Sequence, residues 1–195
     1  MKFLKGLLLT IVALVAIYLL LAIFMPSTYN VSRDITIDAP KSAVWNQIND
    51  FKKWANWSAW SETDPTIANT YAGVDGELGS TNSWTSDSSG TGQMTLTELV
   101  ENERFGYDLV FTAPWESKSK GYIALEELEG KTKATFCDEG PIPFLMRPMA
   151  YFTNMFDGMM GPQFEKGLEN ISNLAMAAPS TEAKPMEITQ TDFPA

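Results

Sequence analysis

Histidine is absent from the chain. That removes the commonest general base, the usual metal ligand, and every Ser-His or Cys-His pair. Cysteine occurs once, at Cys137, which excludes an internal disulfide and a multi-cysteine metal site. Basic residues are few and scattered: 14 Lys and Arg against 24 Asp and Glu give a net charge of −10. Such a surface cannot neutralise phosphates, so nucleic acid is an unfit partner. No phosphate-cradling glycine loop appears either. Any catalysis would therefore fall to carboxylates, hydroxyls and lysines, and no cofactor or metal is expected.

What is present begins with an uncharged apolar block over residues 6–25, GLLLTIVALVAIYLLLAIFM. As a helix it spans about 30 Å of hydrocarbon. A secretory signal has a shorter apolar core and a small-x-small cleavage site, whereas Phe24, Met25 and Pro26 suit cleavage poorly. The block is read as an uncleaved anchor, with residues 1–28 as transmembrane anchor and tether. Lys2, Lys5 and the amino terminus precede it, and the next charge is Arg33. The positive-inside rule then predicts a cytoplasmic N-terminus and a domain on the extracytoplasmic, periplasmic side.

Beyond the tether, Tyr29–Ile37 alternates apolar and polar residues and predicts a strand. Asp38 is a candidate N-cap for a short helix to about Asn49, and a second helical turn follows around Phe51–Ala55. Trp45, Trp54, Trp57 and Trp60 crowd this region, as expected of short helices packed on a sheet. Six period-2 segments follow between Thr66 and Asp138, joined by short turns, which predicts an antiparallel meander and a seven-stranded sheet in all. Leu145–Ala177 then carries Met149, Phe152, Phe156, Met160, Phe164, Leu168, Ile171 and Leu174 at steps of three or four, one face of a long helix. Pro162 cannot donate an N–H, so a kink is expected at Gly161-Pro162. The domain is expected over residues 29–177 and a disordered tail over 178–195, rich in Pro and without periodicity.

The order of strand, two short helices, six strands and long helix has a sequence counterpart. ITIDAPKSAVWNQINDFKKWANWSAW resembles the opening of the polyketide cyclase/dehydrase and lipid-transport proteins, the START-like or SRPBCC superfamily. MMGPQFEKGLENISNL resembles that superfamily's last helix, and the resemblance covers about residues 29–176. It implies an α+β helix-grip fold: a curved antiparallel sheet wrapped around the long C-terminal helix, with an apolar cavity between them. The wall of such a cavity is expected to combine Trp84, Phe105, Tyr107, Leu109, Phe111 and Tyr122 with Phe152, Phe156 and Met160, the two tyrosines orienting a mostly apolar guest. Large aromatics can equally fill that space themselves.

Carboxylates on or beside strands (Glu116, Glu126, Glu127, Asp138, Glu139) are the acid–base candidates, and a buried one would have a raised pKa. Glu126-Glu127 beside a turn is more simply a solvated strand end. Arg104 and Arg147 are candidates for a ligand anion but as lone arginines more simply pair at the surface. Cys137 alternates with the inward Phe136 and so faces away from the cavity, with no base to activate it. The leading expectation is a membrane-anchored binding module for an apolar small molecule or lipid. Its alternatives are a cyclase/dehydrase- or hydrolase-like enzyme using carboxylate and tyrosine groups, and a filled domain that binds a protein partner.

Overall fold

The structure is a computed structural model and describes residues 2–178. Of the tail expected over 178–195, residues 179–195 lie outside the described residues. Helix α1 (Lys2–Phe24) carries the apolar block and leaves almost all of its surface exposed; Ala22 is its one buried residue. It is long and apolar enough to cross a membrane.

Strand β1 (Thr28–Ile37) follows directly, then three short helices: α2 (Lys41–Ile48), α3 (Phe51–Trp54) and α4 (Ala59–Thr63). Two short helices were expected; the Trp57–Trp60 segment supplies the third, entered at Ser58. Asp38 does not cap α2, whose N-cap position is Pro40, whereas Asp50 caps α3 by accepting the Lys52 N–H at 2.8 Å. Strands β2 (Ala68–Ala72), β3 (Thr81–Thr85), β4 (Thr91–Val100), β5 (Arg104–Ala113), β6 (Ser117–Leu128) and β7 (Lys131–Pro141) then run as a meander. The seven strands form one antiparallel sheet in the order β1-β7-β6-β5-β4-β3-β2. The first strand therefore closes against the last, Thr28 opposite Pro141 and Ile37 opposite Thr132.

A 3-10 turn (Phe144–Met146) leads into α5 (Arg147–Thr153) and then α6 (Met155–Ala177). The predicted long helix is thus interrupted, but at Asn154 and not at Gly161-Pro162. Asn154 takes the left-handed conformation (φ 49°, ψ 41°), which asparagine tolerates better than most residues. Helix α6 continues through Pro162. The carbonyl deprived of its donor is that of Gly158, on an open side of the helix where water can hydrate it. The break also divides the expected apolar face. Met160, Phe164, Leu168 and Ile171 of α6 are buried, while Met149 and Phe152 of α5 are exposed.

Helix α6 lies across the concave face of the sheet. Arg33 on β1 holds it there, its guanidinium donating to Asp157 at 2.8 Å and to Glu165 at 2.5 Å. Gly161 makes room for that guanidinium, since a Cβ there would collide with it. Phe136 of β7 stacks on Phe164 at 4.0 Å between centroids. Around this pair, Phe51, Trp54, Trp57, Phe105 and Tyr107 contact one another edge-on or tilted. The concave centre is filled by these rings.

Candidate functional site

The expected cavity wall does not come together as one surface. Phe105 and Tyr107 lie within the packed aromatic cluster, against Phe51 and Trp54. Trp84 of β3 and Phe111 of β5 meet edge-on at 5.3 Å across β4, over Gly92, whose missing side chain leaves space for the indole. Met160 is buried on α6, and Phe156 stacks on Tyr29 at 4.1 Å. Leu109 is half-buried at the α1-side end of β5. Two expectations fail on geometry. Tyr122 points to the other face of the sheet: Ile123 and Leu125 are the inward residues of β6, and the Arg104 guanidinium covers the Tyr122 ring at 3.6 Å. Phe152 is 67% exposed, because the break at Asn154 turns α5 away from the sheet.

A polar cluster lies where the filled interior ends. Alternation along β7 from the inward Phe136 carries Asp138 to the concave face, 1% exposed. The Tyr29 hydroxyl donates to its Oδ1 at 2.8 Å and the Ser119 hydroxyl to its Oδ2 at 3.3 Å. Gly121, paired with Asp138, sits beneath the Tyr107 hydroxyl; a Cβ at Gly121 would fall 2.2 Å from that oxygen. Gly140 stands in the same relation to Tyr29, a Cβ there falling 2.8 Å from the phenol oxygen. Two strand-interior glycines therefore bring two phenols against one carboxyl.

Burial pushes the Asp138 carboxyl up to about 7, with Glu139 adding to the rise and the Tyr29 and Ser119 donors opposing it. Burial, then the Asp138 charge, raises Tyr29 and Tyr107 well beyond the usual phenol range, so both hold their protons. At neutral pH the cluster thus holds one exchangeable proton on a carboxyl and two fixed hydroxyls. It can orient a polar group by hydrogen bonding, or pass a proton through Tyr29.

A groove of about 570 Å³ lies at the same end of β1, β7, β6 and β5 but belongs mainly to the outer face of the sheet: Thr28, Asn30, Asp108, Val110, Lys118, Lys120, Glu139 and Pro141 of the outward rows line it. The inward Tyr29, Leu109, Ser119 and Gly140 adjoin it, whereas Asp138, Tyr107 and α6 do not. A second hollow of about 470 Å³, with Asp50, Lys53, Asp75 and Glu101 around it, is polar and lies toward the opposite end of the sheet. The other buried carboxylate, Asp64, is fully spent: Thr66, Ser86 and Ser89 all donate to it, which holds it far below the usual carboxylate range and ties the α4–β2 turn to the β3–β4 loop. Glu126 is exposed, and Arg104 pairs with Glu98 at 2.7 Å. Cys137 is buried on the far face, its thiol pushed up by burial. Among the described residues no group of three or more His, Cys, Asp or Glu side chains is placed to hold a metal.

Asp138 was within reach of the sequence, since it stands two residues beyond the inward Phe136. Tyr29 and Ser119 were not, because neither stands out until the register sets them beside it. The clue that went unused is a glycine in the interior of each of two adjacent strands, Gly121 and Gly140.

Comparison with known proteins bears on this arrangement. The family model for polyketide cyclase / dehydrase and lipid transport proteins matches residues 28–175. The chain belongs to this family. The match begins where α1 ends and takes in the whole sheet, the short helices and nearly all of α6. No curated protein sequence matches the chain. Similar solved structures include CV1439 from Chromobacterium violaceum, 20% identical, with a TM-score of 0.51 over 77% of this chain and 98% of that one. Mll3558 from Rhizobium loti is 13% identical, with a TM-score of 0.54 over 75% and 96%. The di-domain ARO/CYC StfQ from the steffimycin biosynthetic pathway is 7% identical, with a TM-score of 0.57 over 77% of this chain and 51% of StfQ. At these identities the likeness is one of fold. The chain therefore has the helix-grip fold of the family, and family membership points to a hydrophobic ligand or a cyclase role.

Proposed function

We propose that this protein is a membrane-anchored binding module for an apolar small molecule or lipid, seated at the end of the concave face beside the Tyr29–Asp138–Ser119 cluster rather than in the filled centre of the grip. The observation that carries the reading is a buried carboxyl with two hydroxyl donors at the end of the grip where Tyr29, Leu109 and Ser119 are only half-buried, in a chain of a lipid-transport and cyclase family. Apolar contact with Leu109 and Phe156 supplies affinity, and the hydroxyls of Tyr29 and Ser119 orient the polar end of the guest. Asp138 is a positioning residue: it fixes the Tyr29 and Ser119 hydroxyls. Helix α1 anchors the domain with its N-terminus in the cytoplasm and keeps it beside the membrane on the extracytoplasmic side, the sidedness following from Lys2 and Lys5.

Full-length protein purified in detergent and released in native mass spectrometry tests the reading. A defined apolar mass should travel with the wild type and be lost from Leu109→Trp, which fills the concave face beside Ser119. Identical spectra, with only bulk lipid on both, would refute it. The Asp138 pKa near neutrality supports a second reading, a cyclase- or dehydrase-type proton transfer through Tyr29. Its mark would be turnover of the bound guest that Tyr29→Phe abolishes without releasing the guest.

A further inference from the structure

We infer that the α1-side end of the domain is a second membrane contact, in which the 144–152 segment and the tip of the β5–β6 hairpin lie in the interface of the bilayer that α1 crosses. The inference rests on the reading of α1 as an anchor and extends it from tethering to orientation. Among the described residues α1 packs against the segment from Phe144 to Thr153. The Tyr18 hydroxyl donates to the Leu145 carbonyl at 2.6 Å, and the Arg147 guanidinium reaches toward the Ala22 carbonyl at 3.5 Å. Tyr18 stands six residues before the end of α1, so about 9 Å of helix lies beyond its Cα. A carbonyl held by that hydroxyl is level with the last turns of an apolar helix, at the headgroup boundary and not out in solvent.

The side chains around that carbonyl suit such a depth. Phe144, Leu145, Met149, Tyr151 and Phe152 are all exposed large hydrophobics within nine residues, reaching 67% at Phe152. A water-facing surface seldom gathers so many. Trp115, at the tip of the β5–β6 hairpin, is 70% exposed. Register places that tip at the same end of the sheet, since Ser117 pairs with Phe111 and Thr28, next to α1, pairs with Pro141. Tyrosine and tryptophan are the residues that settle at membrane interfaces, an apolar body below and a polar tip in the headgroups. Lys118 and Lys120, on the strand leaving that tip, fit anionic headgroups in an otherwise acidic protein. The Tyr29–Asp138–Ser119 cluster lies at this end too, so a guest there would be drawn from the bilayer.

The test uses the full chain with Cys137→Ser, reconstituted at one copy per nanodisc of phosphatidylcholine and phosphatidylglycerol. An environment-sensitive NBD label is placed in turn at Phe152→Cys, Trp115→Cys, Leu14→Cys within α1, and Val74→Cys on an exposed loop toward the far end of the sheet. Labels at 152 and 115 should emit to the blue of the label at 74 and lose most of their emission to nitroxide-bearing lipids, as the label at 14 does. Labels at 152 and 115 as water-exposed as that at 74, with 14 in lipid, would overturn the inference and leave the anchor standing. A label at 14 in water would overturn the anchor itself. Shielding at 152 that appears only with two copies per disc would mean that a second copy covers the patch, and would also overturn the inference.

Discussion

Replacing Asp138 with Asn should make the protein more stable at pH 8 and flatten its stability between pH 4 and 8. The carboxyl is raised from 3.8 to about 7 in the folded protein, with burial as the main cause. The folded state therefore holds a proton that the unfolded chain releases, and stability is fully present below about pH 4 and is lost as pH rises through 7. At 1.36 kcal/mol per tenfold in proton affinity, the loss amounts to about 4 kcal/mol. For a domain of this size that is a shift in melting temperature of about 10 °C. Asn cannot ionise, and its Oδ1 still accepts from Tyr29 while its Nδ2 can donate to the Ser119 oxygen. The loss should thus disappear with the neutral hydrogen bonds kept. Asp157, held low chiefly by the Arg33 guanidinium, works in the opposite sense, but its contribution fades only as pH falls into the acid range. Thermal unfolding of full-length wild type and Asp138→Asn in detergent, from pH 5 to 8, is the assay. A wild type as stable at pH 8 as at pH 5, or an Asn variant that keeps the wild-type slope, would refute the assignment of Asp138 as a neutral buried carboxyl.

Gly121→Ala should destabilise the domain by about 1–3 kcal/mol by overpacking the Tyr107 phenol, and it should do so less in a Tyr107→Leu background, as a chemical-denaturation double-mutant cycle would show. Phe164→Asp should prevent folding, because a charge would replace a ring stacked on Phe136, at a cost of several kcal/mol; circular dichroism of the purified variant checks this. Gly161→Ala should displace the Arg33 guanidinium from Asp157 and Glu165 and lower stability by about 1 kcal/mol, the loss shrinking in high salt.

The elements were legible because their periodicities are clean. Phe105, Tyr107, Leu109 and Phe111 alternate on β5, and Met160, Phe164, Leu168 and Ile171 recur on α6. The site was less legible, and for physical reasons. Period 2 tells which residues of a strand share a face but not which face is inward, so Tyr122 was set on the wrong side of β6. Helical spacing runs unbroken through Asn154, so nothing in it shows that Phe152 belongs to a different helix, and Pro162 draws attention to the wrong place. Whether large aromatics line a space or fill it depends on packing against Trp54 and Trp57, which no pattern along one strand reveals.

The central claim is the location of the guest, and a photoactivatable acyl probe tests it most directly. Full-length protein in nanodiscs is irradiated with a diazirine-bearing fatty acid and mapped by peptide mass spectrometry. The account predicts adducts at the end of the concave face, around Tyr29, Leu109, Ser119 and Phe156, that fall away in Leu109→Trp. Adducts confined to α1, or found instead at Phe105 and Phe136 in the middle of the grip, would contradict it.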